Sequence, residues 1–195
     1  SPQQRAVEKN LLCADDSRIK IKMDLLAHFQ YTALVEIMVN RNVEVKGMYN
    51  WHNIETERDI EFLMSTYGGF HDACIVSLSF QSGAFVDDVR TMHFGDAESR
   101  RLSVIFQCQW DPKTIEVQFL GLRQMHLVGW QDNYCCDISE AYLAFHGNLL
   151  PGNPKRVIVW SDTDWFDVSK INNTIHEPAD TYIVANSMRW RIIGG

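Results

Sequence analysis

The stretch from Thr56 to Phe80 constrains the fold of this chain more than any other, because it reads as a capped helix running through two glycines into a strand. Thr56-Glu57-Arg58-Asp59 has the order of a capping box, with the Thr56 hydroxyl placed to meet the first backbone N–H groups that lack a helical partner. Ile60, Leu63, Met64 and Tyr67 recur at helical spacing and give the helix one apolar face. Gly68 supplies the left-handed residue that ends helices. From Cys74 the period falls to two. Parity then sets Cys74, Val76, Leu78 and Phe80 on one face and Ile75, Ser77 and Ser79 on the other. The same parity puts Asp72 on the Cys74 face, where the strand enters the core, and His71 on the opposite face.

After this joint the chain is a succession of strands. Leu102, Val104, Phe106, Cys108 and Trp110 take every second place, Asp111-Pro112-Lys113-Thr114 is a turn, and Ile115, Val117 and Phe119 alternate with Glu116 and Gln118. That pattern is a hairpin. Further strands are expected at 125–128, 138–145, 156–160 and 182–192, with a Pro/Gly loop over 148–154. The segment 162–179 has no clear period, but Trp165 and Phe166 call for burial, so it is expected to fold over something. Before the helix, a short helix over 3–13 and strands over 18–23, 31–39 and 43–48 are expected, though Val35 to Val39 suits a helix equally well. Short connections favour antiparallel pairing. The expected fold is therefore α+β: a large, mostly antiparallel sheet, curved or barrel-like, with one main helix packed on it. Residues 1–47 would be an N-terminal helix and strands, as an extension, and 48–195 the main domain.

A chain of 195 residues with 46% apolar composition and six tryptophans has enough apolar surface for a core that needs no metal or disulfide. The net charge of −7 argues against nucleic acid as the main partner, because phosphate binding needs a basic surface. No apolar run approaches the roughly 18 residues of a membrane helix. Ser1-Pro2-Gln3-Gln4 lacks a signal-peptide pattern, and without an initiator Met it leaves upstream trimming open. The cysteines, Cys13, Cys74, Cys108, Cys135 and Cys136, are odd in number and form no Cys-x-x-Cys, which suits a reducing cytoplasm.

Three places offer chemistry. His71-Asp72 could be a general base or a metal ligand, or Asp72 could brace the glycine turn; adjacent strand residues diverge, which disfavours a shared ion. Trp160-Ser161-Asp162-Thr163-Asp164 ends a strand in two acids one residue apart, as an oxygen-liganded cation site would, but Trp165-Phe166 breaks the calcium-loop pattern. Met188-Arg189-Trp190-Arg191 sets two arginines on one strand face, a docking strip for an acidic ligand. His28, His52, His71, His93, His126, His146 and His176 form no paired metal motif, and no nucleophile elbow or phosphate loop occurs. No cofactor is expected.

Trp51-His52-Asn53-Ile54, Asp59-Ile60, Phe70-His71-Asp72-Ala73 and Val159-Trp160-Ser161-Asp162 together resemble a group of uncharacterised bacterial proteins in which a helix leads into a Phe-His-Asp element. They are distantly similar to immunity proteins of polymorphic toxin systems. The resemblance spans roughly Met48 to the C-terminus and implies a cytoplasmic α+β domain without an assigned reaction. The expected function is a non-catalytic, immunity-type protein-binding domain, with another protein or a second copy as partner. Trp160, Asp162, Asp164, Trp165, Arg189 and Arg191 are its candidate contacts. The alternative is a metal-dependent hydrolase or small-ligand enzyme built from His71, Asp72, Asp162, Asp164 and His176, which requires those groups to converge.

Overall fold

The computed structural model describes residues 50–128, 137–153, 155–172 and 180–194. The chain divides into Ser1–Gly47 and Met48–Gly195, and every described residue belongs to the second unit. The elements expected before Gly47, with Cys13, His28, Trp130, Cys135, Cys136 and His176, lie outside the described residues.

The strand β1 (His52–Ile54) leads into the helix α1 (Glu57–Thr66). Its capping box is formed: the Asp59 N–H donates to the Thr56 hydroxyl at 3.4 Å, and the Thr56 N–H donates to the Asp59 carboxylate at 2.7 Å. Ile60, Leu63 and Tyr67 are buried, so the apolar stripe faces the core. The helix ends where Gly68 turns left-handed at φ +56, but the turn does not stop there. Gly69 (φ +65), the buried Phe70 (φ +65) and Asp72 (φ +52) are left-handed too.

Eight strands form one antiparallel sheet. Their central path is β7 (Asp137–Ile138), β2 (Ala73–Gln81), β5 (Arg101–Gln107), β6 (Thr114–His126), β10 (Tyr182–Gly194), β9 (Val157–Ser161) and β8 (Tyr142–His146). Strand β1 lies beside the C-terminal half of β10, and β9 beside its N-terminal half. The sheet curls into a half barrel, which makes the fold α+β with a curved antiparallel sheet and one helix. The expected single strand over 138–145 is two. Between them Glu140 bridges Thr163 and the Ala141 N–H donates to the Gly69 carbonyl at 2.9 Å, so one short segment serves both ends of the strand order.

A bulge and a kink correct the parity read from sequence. On β2 the register shifts between Ile75 and Ser77, so Ala73, Ile75 and Leu78 pack against the core while Val76 is exposed. Cys74 and Val76 therefore do not share a face with Leu78. On β6 the strand expected at 125–128 is a continuation of the hairpin strand through a kink at Gly121 (φ +63). Phe119 and Leu122 are both buried, as are Met188 and Ala185 opposite them, a three-residue step on each strand. A Cβ at Gly121 would lie 2.6 Å from Asn186 Nδ2, so the kink needs glycine.

The main core joins α1 to β5, β6, β9 and β10 through Leu63, Phe70, Phe106, Phe119, Trp160 and Trp190. A second, smaller core lies on the other face of β9 and β10, where Val157, Val159, Tyr182 and Val184 are covered by Phe166 and Ile171. That explains the uninterrupted apolar run Val157 to Trp160, a strand buried on both faces. It also matches, over the described residues 162–172, the expectation that the segment after Asp162 folds over something; residues 173–179 lie outside the described residues. Trp165 is the exception, at 74% exposed. Among the described residues no helix is long and apolar enough to cross a membrane.

Removing the cap in Thr56→Ala is expected to cost about 1 kcal/mol. Gly121→Ala forces a Cβ into a left-handed residue at about 1–2 kcal/mol, plus displacement of Asn186. Urea unfolding with an unchanged m-value would report both.

Candidate functional site

The left-handed run at the end of α1 decides the fate of His71-Asp72. Because Phe70 turns inward, the next two residues leave the core before β2 begins. His71 and Asp72 are thus not strand neighbours that diverge: their side chains meet, with His71 Nδ1 3.2 Å from Asp72 Oδ2, and both are about half exposed or more. Asp72 is not at the core entrance, and its backbone N–H donates to the Ile138 carbonyl at 2.8 Å. Beside the pair stand Trp110, whose ring is 6.1 Å from that of His71, and Glu140, which lies over Gly69. Among the described residues no three His, Cys, Asp or Glu side chains converge to hold a metal ion. The thiol of Cys108 is buried and donates to the Trp110 and Pro112 carbonyls, and burial pushes the Tyr67 phenol upward. Neither group is an accessible nucleophile for the His71–Asp72 pair.

The second place is a brace. Trp160 is wholly buried in the main core and cannot contact a ligand from the surface. Asp162 closes the β9–β10 ladder: its N–H donates to the Thr181 carbonyl at 3.1 Å and its carboxylate accepts the Thr181 N–H at 3.0 Å. The Ser161 hydroxyl donates to the same Thr181 carbonyl at 2.9 Å. Asp164 and Trp165 lie on the exposed turn that follows.

The third place is a ladder on the outer face of the sheet. Arg191 donates through Nε and Nη2 to Glu116 Oε2 at 2.9 and 2.6 Å, and Arg189 likewise to Gln118 Oε1 at 2.9 and 2.7 Å. Both guanidinium groups lie over the Trp51 ring, 4.3 and 4.4 Å from its centre. The sequence parity is right, with Met188 and Trp190 inward and the arginines outward. Each guanidinium thus directs two of its five N–H donors to a partner on β6. An open depression of about 350 Å³ between Asn148 and Asn153 is lined by Leu150, Pro151 and Gly152 as well, and carries no ionisable side chain.

The element that the sequence reading passed over is an arm between β2 and β5. Strands β3 (Phe85–Val86) and β4 (Met92–His93) pair with each other and with no other described strand. Asp87 organises the turn: Oδ1 accepts the Val89 and Thr91 N–H groups at 3.1 and 2.8 Å, and Oδ2 lies 2.8 Å from His93 Nε2. The His93 ring stacks on Phe85, with centroids 4.6 Å apart. At the base Gly83 and Gly95 are pressed together against Ser99; a Cβ at Gly95 would lie 2.6 Å from the Gly83 backbone. Asp96 accepts the Ser99 N–H at 2.8 Å, and Glu98 accepts from Asn186 Nδ2 at 2.8 Å, which ties the turn before β5 to β10. The arm is thus built by specific contacts, yet Phe85, Val86, Val89, Met92 and Phe94 are 59–81% exposed. In the sequence its signal is the pair Phe85-Val86 and Met92-His93-Phe94 around Asp87-Asp88, bracketed by Gly83 and Gly95.

The hydrogen bonds that Asp87 accepts from His93 and from the turn N–H groups hold its carboxyl below the ordinary range, whereas burial, more than the nearby Asp180, pushes Asp162 above it. An acid whose folded pKa is raised favours the folded state below its unfolded pKa, and that contribution is lost as pH rises through the folded value. Asp162→Asn keeps an acceptor for Thr181 and removes this loss. Its melting temperature relative to wild type is therefore expected to be higher at about pH 7 than at about pH 3. Thermal scans of both proteins at the two pH values check this, and an unchanged difference would contradict it.

Compared with known proteins, the chain matches no family model, no curated protein and no solved structure.

Proposed function

We propose that this chain is a non-catalytic, immunity-type protein-binding domain that docks another protein through the arm from Ser82 to Ser99. The observation that carries the reading is the display of five large apolar side chains on a hairpin held rigid at tip and base. A monomer has no folding reason to keep Phe85, Val86, Val89, Met92 and Phe94 in water. Burying one such side chain contributes about 1.5–3 kcal/mol, so five exceed the lower part of the roughly 4–15 kcal/mol that association costs. Rigidity matters here, because an arm already in its bound shape loses little entropy on docking. The acidic balance of the chain and its likeness to immunity proteins support the same reading. Among the described residues no third side chain converges with the His71–Asp72 pair to hold a metal ion, so the pair supports the enzyme reading less.

The test is comparative capture from a lysate of the source cells. Wild type is expected to retain one stoichiometric partner, and Phe85→Ser with Phe94→Ser to lose it by about a hundredfold or more in affinity, a cost of about 2.7 kcal/mol. Trp165→Ser, an exposed control away from the arm, should retain it. Phe85 and Phe94 are largely exposed, so apart from the loss of the Phe85–His93 stack, about 0.5–1.5 kcal/mol, the double variant should keep the stability of wild type. Equal capture by wild type and double variant would overturn the proposal, as would no capture at all. Sedimentation equilibrium showing a dimer that the double variant loses would replace the foreign partner with a second copy.

A further inference from the structure

Resting on that reading, we infer that the arm's partner presents an apolar cleft rimmed by lysine and arginine. Around the exposed apolar side chains the arm carries Asp87 and Asp88 at the tip and Asp96 and Glu98 at the base, against Arg90 as its one basic residue. Asp88, Asp96 and Glu98 are exposed, so the apolar surface is fringed by solvated carboxylates. Arg100 and Arg101 lie beyond the base, on the approach to β5 and at its start.

This charge pattern selects among occupants. A two-fold dimer through the arm would bring the same patch onto itself and set Asp87 and Asp88 against their own copies, which costs affinity. An anionic lipid surface would repel the tip. An acidic or neutral protein would leave the fringe unpaired or opposed. A basic rim instead meets the carboxylates while the phenyl and aliphatic groups enter the cleft, the apolar-centre and polar-rim order of stable interfaces. The chain's net charge of −7 acts in the same direction over longer range and speeds encounter with a basic surface.

Fluorescence anisotropy of the full chain against two labelled amphipathic peptides tests this, one of leucine and lysine and the other of leucine and glutamate. The Leu/Lys peptide is expected to bind one-to-one and at least about tenfold more tightly than the Leu/Glu peptide, with the difference shrinking between about 50 and 500 mM salt as charges are screened. Asp88→Lys with Glu98→Gln should remove most of the preference, since Gln keeps an acceptor for Asn186; Phe85→Ser with Phe94→Ser should remove binding of both peptides. Equal affinity for the two peptides overturns the basic-rim inference and leaves the arm as a docking element. Retention of the Leu/Lys peptide by the Phe85/Phe94 variant overturns the arm itself. Failure of both peptides to bind, or co-sedimentation of the chain with phosphatidylcholine/phosphatidylserine vesicles, also overturns the inference.

Discussion

The position of the Phe70 ring is the contact on which the rest of this structure depends. It meets Tyr67 at 5.1 Å, Phe106 at 5.0 Å and Trp160 at 6.0 Å, all edge-on, and so ties the end of α1 to β5 and β9. To reach that place the backbone is left-handed at a bulky residue, a strain of about 1–3 kcal/mol. Burying the ring and forming three edge-to-face pairs, each about 0.5–1.5 kcal/mol beyond the area effect, offsets it. The two preceding glycines make the turn accessible, and Trp110 packed over Gly68 leaves little room for a side chain there. Once Phe70 is inside, His71 and Asp72 are outside. Their juxtaposition is therefore a consequence of how the core is closed.

The same logic explains the other polar groups that looked reactive. The N-terminal half of β10 is buried on both faces, so the open end of its ladder with β9 must satisfy its backbone groups internally. Asp162, Ser161 and Thr181 do so. Charge is used there to finish a sheet, at the expense of burying a carboxylate. On the outer face Trp51 lies against two guanidinium groups that Glu116 and Gln118 hold in place, a cross-strand arrangement that stiffens β6 against β10.

The arm stands apart from both cores. Its side chains are of the kind that fill cores, yet its fold comes from Asp87, from the Phe85–His93 stack and from the Gly83–Gly95 contact at its base. A hairpin made this way keeps its shape while presenting apolar surface to water. That combination suits recognition of a partner more than it suits stability of the isolated domain, and the carboxylate fringe keeps such a surface soluble.

Local rules fixed much of this protein in the sequence itself. The capping box, the apolar stripe of α1, the Leu102–Phe119 hairpin and the inward Met188 and Trp190 are set by periods of 3.6 and 2 that operate over a few residues, and the short connections between strands pointed to antiparallel pairing. Tertiary structure decided the rest. The extra residue at Val76 shifts β2 by one place, and a bulge reverses every side chain beyond it. The kink at Gly121 merges two expected strands into one. The meeting of His71 with Asp72 depends on Phe70 finding Phe106 and Trp160 from distant parts of the chain. Phe166 is buried and Trp165 exposed because only one of them faces Tyr182. The arm was hidden for the same reason: Phe85, Met92 and Phe94 carry the composition of a core, and only the completed fold shows that neither core formed by the described residues reaches them.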